Sequence, residues 1–157
     1  MWKLVVATGM ATALALVIVA STQAAIPPLK ARLQPVGESN AHGKVVWKRM
    51  SEQVPLHVRI RGAVPVSKVS LRVCGLTEDS VTGNRFDQCW ATFTDPARHI
   101  LSIQIDRKGR AEVKVIPKLA VASVHLLEAE RVELYDYPSG ELIAVGEMDA
   151  RGRADMD

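Results

Sequence analysis

Val54-Pro55-Leu56-His57-Val58-Arg59-Ile60-Arg61 places a branched aliphatic residue at every second position, with Pro55 and then the polar His57, Arg59 and Arg61 between them. A period of two puts Val54, Leu56, Val58 and Ile60 on one face of a β-strand and His57, Arg59 and Arg61 on the other. The same period recurs on both sides of this stretch. Val45 and Trp47 sit among Lys44, Val46 and Lys48. Val69, Leu71 and Val73 alternate with Lys68, Ser70 and Arg72. Leu101-Ser102-Ile103-Gln104-Ile105 and Arg110-Ala111-Glu112-Val113-Lys114-Val115 continue the pattern. Each segment can bury one face and leave the other in water.

The interruptions carry turn residues. Gly37 to Gly43, Gly62 to Pro65, Asp95-Pro96 and Arg107-Lys108-Gly109 separate the runs. Tyr137-Pro138-Ser139-Gly140 joins Val132–Tyr135 to Leu142–Val145 as a hairpin. Eight or nine short strands predict an all-β fold, an antiparallel β-sandwich or Greek-key barrel of about eight strands. Ala120 to Glu130 reads either way, because Leu126-Leu127-Glu128-Ala129-Glu130 has good helix propensity, so one short helix is allowed there. Trp47, Phe86 and Trp90 are expected to help fill the core.

Met1-Trp2-Lys3 precedes a charge-free apolar run from Leu4 to Ala20, and Ser21-Thr22-Gln23-Ala24-Ala25 follows it. A basic start, an apolar centre and small residues before a cut form a secretory signal, with cleavage expected after Ala24. An uncleaved anchor is the rival reading, weakened by Thr8, Gly9 and Thr12 within the run. Residues 1–24 are therefore expected to be a signal peptide, 25–148 a single β domain and 149–157 a flexible polar tail. The expected location is the periplasm or the extracellular space, with no membrane span after cleavage.

Cys74 and Cys89 are the two cysteines. In an exported chain they read as one intramolecular disulfide, pinning the polar loop from Gly75 to Gln88. His42, His57, His99 and His125 are too dispersed in sequence to suggest converging metal ligands. The chain carries no Gly-x-Ser-x-Gly elbow and no phosphate-cradling glycine motif. No catalytic residue, metal or cofactor is expected from these patterns.

The formal charge is +3, and +2 without Lys3, which makes no case for nucleic acid. Its distribution is uneven. Residues 25–76 hold nine Lys or Arg against Glu38 and Glu52, while residues 77–157 hold ten against fifteen Asp or Glu. Alternation turns Lys44, Lys48, His57, Arg59, Arg61, Lys68 and Arg72 outward. If three successive strands are neighbours, these residues gather into one basic face free of carboxylates. Lys44, Lys48, Arg59, Arg61, Lys68 and Arg72 are its candidate partner-binding residues, with Arg110 and Lys114 expected elsewhere. An anionic envelope component or an acidic protein would suit such a face.

The order of segments resembles the copper–zinc superoxide dismutase fold and the chordin-type domain. Ala31-Arg32-Leu33 is similar to the first strand of that family, and Gly43-Lys44-Val45-Val46-Trp47 to the second with its leading Gly. Leu56 to Gly62 resembles the strand that ends at a Gly before the metal-bearing strand, and Gly140 to Gly146 the closing strand. The resemblance implies a β-sandwich or barrel but not the activity. Where the family carries His-x-His copper ligands, this chain has Val69-Ser70-Leu71-Arg72-Val73-Cys74, and its closing strand has no Cys. The expected function is a non-enzymatic binding module of the cell envelope or extracellular space. The alternatives are a degenerate dismutase-like metal or redox protein and an enzyme whose site is assembled from scattered residues.

Overall fold

In the computed structural model, which describes residues 27–149, the alternation around Val58 forms strand β3 (Leu56–Arg61), with Leu56, Val58 and Ile60 buried and His57, Arg59 and Arg61 exposed. Nine further strands follow the same logic. They are β1 (Leu29–Pro35), β2 (His42–Trp47), β4 (Lys68–Asp79), β5 (Arg85–Phe93), β6 (Ser102–Gln104), β7 (Ala111–Pro117), β8 (Ala120–Val121), β9 (Val124–Tyr137) and β10 (Leu142–Glu147). The signal peptide expected at residues 1–24 and nearly all of the expected tail lie outside the described residues.

Eight of these strands close a ring in the order β1-β2-β3-β7-β5-β4-β9-β10, and every pairing is antiparallel. Closure leaves fewer free edges than an open sheet. Two crossovers build it. β3 passes over one end of the barrel to β4, and β7 passes over the other end to β9, so that β4, β5 and β7 are flanked by β9 and β3 in Greek-key fashion. β6 continues the ladder beside the start of β4, and the two-residue β8 pairs with β9. The weakest seam is β5–β7, where Thr92 and Phe93 pair with Pro117 and Ile116.

Among the described residues there is no helix. The ambiguous Ala120–Glu130 stretch is β8, a turn and the first half of β9, where Leu126 and Ala129 are buried. Helix propensity loses there because β9 pairs with β4 from Asp79 back to Lys68, and that long ladder satisfies the backbone. The expected polar loop after Cys74 is also corrected. Gly75–Asp79 and Arg85–Gln88 pair as a hairpin, leaving only residues 80–84 as its turn.

The barrel interior holds Trp47, Leu56, Val58, Ile60, Leu71, Val73, Val115 and Leu134, all essentially inaccessible. Each such aliphatic side chain contributes roughly 1.5–3 kcal/mol on burial. Both buried tryptophans have their polar edge satisfied. Trp47 Nε1 donates to the Val54 carbonyl at 2.8 Å, and Trp90 Nε1 donates to Thr77 Oγ1 at 3.1 Å. Phe86 departs from expectation and is exposed, because it lies on the part of the β4–β5 hairpin where β5 has β4 as its only paired neighbour. Two glycines permit close approach of strands. A Cβ on Gly43 would stand 2.0 Å from the Arg59 carbonyl oxygen, and one on Gly75 would stand 2.1 Å from that of Glu128, at a β-bulge between β4 and β9.

Candidate functional site

Two places on the outer surface bring together side chains that can do chemistry. The first follows from the register of β1, β2, β3 and β7. Pairing sets Arg32, Lys44, Arg59 and Glu112 in one row across the four strands. Lys30, Val46, His57 and Lys114 form the next row. Neighbouring strands lie about 4.8 Å apart, so cations on adjacent strands stand within a screening length of one another. Lys44, Lys48, His57, Arg59, Glu112 and Lys114 rim a shallow groove of about 430 Å³, with Val46 exposed in part at its floor. Arg59 Nη2 is 2.9 Å from Glu112 Oε1, an ion pair open to solvent on both sides. Arg61 pairs with His42 at the edge of the same face.

This arrangement divides the sequence-derived set. Lys44, Lys48, Arg59 and Arg61 do share a face. Lys68 and Arg72 do not, because β3 is flanked by β2 and β7 while β4 lies beyond β7 and β5. The assumption that successive strands are neighbours fails at the β3–β4 crossover. The face is also not free of carboxylates, since Glu112 sits on β7. The same strand brings Lys114 beside His57, so Lys114 belongs to this face rather than elsewhere. Lys30 and Arg32 join this face through the β1–β2 pairing, which sets them beside Val46 and Lys44.

The second place lies on the outer face of β5, β4 and β9. Cys74 and Cys89 are directly opposite each other on β4 and β5 and are joined by a disulfide. Cys74 is fully buried and Cys89 half-buried. On the far side of Cys74, β9 contributes Arg131, and Glu133 stands opposite Arg72. Arg131 grips both oxygens of Asp87 at 3.0 and 2.8 Å and donates through Nε to Glu133 at 2.8 Å. Glu133 is only 9% exposed and also accepts a hydrogen bond from the Tyr135 hydroxyl. The Arg72 guanidinium lies 4.4 Å from the Tyr135 ring centroid.

The electrostatics follow from these contacts. The hydrogen bonds from Arg131 hold the Asp87 carboxyl below its ordinary range. The hydrogen bonds to Asp87 and then Glu133 push the Arg131 guanidinium further up, so it stays charged. Burial, and then its bond to Glu133, raises the Tyr135 phenol. Sequence reasoning identified the cysteine pair but not Arg131, Glu133, Tyr135 or Asp87. Their only sequence signal is the outward phase of Arg131, Glu133 and Tyr135 around Val132 and Leu134.

Among the described residues, Cys74, Cys89 and Glu133 alone bring three metal-competent atoms within 4.8 Å of one another. Two of the three are sulfurs already bonded to each other, and a disulfide sulfur is not a thiolate ligand. The histidines stay dispersed. His42 and His57 lie on β2 and β3, His99 in the β5–β6 connection and His125 on β9. Comparison with family models, with curated proteins and with solved structures gives no match to this chain.

Proposed function

We propose that the chain is an exported, non-enzymatic barrel module that holds a polyanion against the outer face of β1, β2, β3 and β7. The observation that carries this reading is the row Arg32–Lys44–Arg59, three cations in register on adjacent strands. Lys30 and Lys114 extend the array along the strands. A lattice of charges on strands about 5 Å apart, spread over the open outer face of the barrel, matches a chain of repeated anionic groups better than one small anion, which would need an enclosing pocket. Anionic glycans, lipid head groups and acidic protein segments share that chemistry. Export is supported by the leader pattern and by the disulfide, which persists in an oxidising compartment. The eight-stranded Greek-key closure supports the resemblance to dismutase-like folds as a kinship of architecture, without the enzymes' His-x-His strand.

Retention on a dextran sulfate resin across a salt gradient tests the face. Lys44→Glu with Lys114→Glu should elute at much lower salt than the parent protein. Lys68→Glu with Arg98→Glu changes net charge equally on other parts of the surface and should elute later than the face variant. Coincident elution of the two folded variants would mean that net charge, not the array, governs binding, and would overturn the proposal.

A further inference from the structure

We infer that the Cys74–Cys89 disulfide is a thiol–disulfide exchange site, attacked at Cys89 and served by Glu133 as the proton acceptor. This stands apart from the polyanion face and does not depend on it.

The two sulfurs are not equivalent. Cys74 is fully inaccessible, and its β9 neighbour is Arg131. Cys89 borders a groove of about 310 Å³ between β4, the β5–β6 connection and the β9–β10 turn, lined in part by Ser70, Arg72, Leu101 and Tyr137. Exchange requires the incoming sulfur to line up behind the sulfur it attacks, opposite the one that leaves. For attack at Cys89 that approach comes from the side of β5 away from β4. There β5 has β7 as a ladder partner only at Thr92 and Phe93, past the cysteine. For attack at Cys74 the approach is closed by β9. The topology therefore selects Cys89.

The surrounding groups suit the reaction. Glu133 Oε2 lies 3.4 Å from Cys89 Sγ. A disulfide sulfur carries no hydrogen to donate, so this contact places a carboxylate beside the sulfur under attack. The Arg131 guanidinium, 3.9 Å from Cys89 Sγ, offsets the carboxylate's charge, and Arg131 is the direct β9 neighbour of Cys74, the leaving sulfur on which negative charge develops. A thiol R–SH gives its proton to Glu133 while its sulfur bonds to Cys89 Sγ. The S–S bond breaks, and Cys74 leaves with the bonding pair. Glu133 lies within 4.8 Å of Cys74 Sγ as well and passes the proton on. The products are a mixed disulfide on Cys89 and a free Cys74 thiol. A second thiol, or the second sulfur of a dithiol, then attacks the outer sulfur of the mixed disulfide and releases Cys89 as a thiol. The protein gains two electrons and two protons, and the donor dithiol becomes a disulfide.

The test uses the folded, oxidised protein with glutathione as the thiol, followed by acid quenching and peptide mapping. The adduct is expected on Cys89, with Cys74 free. An adduct on Cys74, an even distribution, or no adduct until the protein is unfolded overturns the proposal. Glu133→Gln should slow adduct formation about 100-fold below the thiol's own pKa, the lower range for a positioned general base. Above it, where the probe arrives as thiolate, the variant should match the parent. Equal slowing at every pH, or none, removes Glu133 from the reaction. If Glu133→Gln does not fold, Tyr135→Phe removes only the hydroxyl bound to Glu133. An unmoved pH profile in that variant overturns the same assignment.

Discussion

Removing the disulfide tests what holds the β4–β5 hairpin. In the folded protein Cys74 and Cys89 are direct partners in a ladder that runs from Arg72–Ala91 to Glu78–Arg85. The bond adds almost no constraint that the ladder does not already impose, so its stabilising effect belongs to the unfolded chain. The two cysteines are 15 residues apart in sequence. For a loop of that length the chain-entropy relation gives about 3 kcal/mol at room temperature. Because each 1.4 kcal/mol is a factor of ten, the unfolding equilibrium should shift about a hundredfold. The perturbation is Cys74→Ala with Cys89→Ala, compared with the parent protein in oxidised and reduced forms. The assay is guanidinium unfolding followed by tryptophan fluorescence, with Trp90 next to the bridge on β5 and Trp47 on β2. The reduced parent and the double variant should lose similar amounts. A loss below about 1 kcal/mol would refute the loop-entropy reasoning. A double variant far weaker than the reduced parent would instead place the effect in packing around the fully buried Cys74.

Two further outcomes are expected. Gly43→Ala puts a methyl group 2.0 Å from the Arg59 carbonyl oxygen, so β2 and β3 must part. It should cost about 3 kcal/mol in guanidinium unfolding and weaken resin retention by disturbing the Lys44–Arg59 register, and a variant as stable as the parent would refute the close approach. Asp87 and Asp106 have folded-state pKa values lowered by Arg131 and by the Arg110 backbone amide respectively. The unfolded chain therefore takes up protons first as pH falls. The contribution of both groups is complete above the ordinary carboxylate value of about 3.9 and is lost as pH falls through their lower folded values. Unfolding midpoints measured between about pH 5 and pH 2 should decline less steeply in Asp87→Asn than in the parent, and parallel declines would refute the assignment.

The sequence by itself determined the class of the fold and the inward or outward phase of most of its strands. Leu56, Val58 and Ile60, like Val69, Leu71 and Val73, are buried as alternation requires, because a strand with one dry face has only one phase that hides its apolar side chains. The cysteine pair was legible for a similar reason, since two cysteines permit one intramolecular bond. Phase says nothing about neighbours, however. Arg59 and Arg72 have the same phase in their strands, yet one faces Glu112 and the other stacks on Tyr135. The Greek-key crossovers put β7, not β4, beside β3. Local propensity left Leu126–Glu130 open between helix and strand, and a long ladder with β4 outweighs the few residues that favour a helix. Glu133 shows the limit most plainly. Its outward phase predicts a solvated carboxylate, but Arg131, Tyr135 and the disulfide, drawn from three paired strands, cover it. Side chains on separate strands become one site only when the strand order and register place them there, and those are set by closure of the whole barrel.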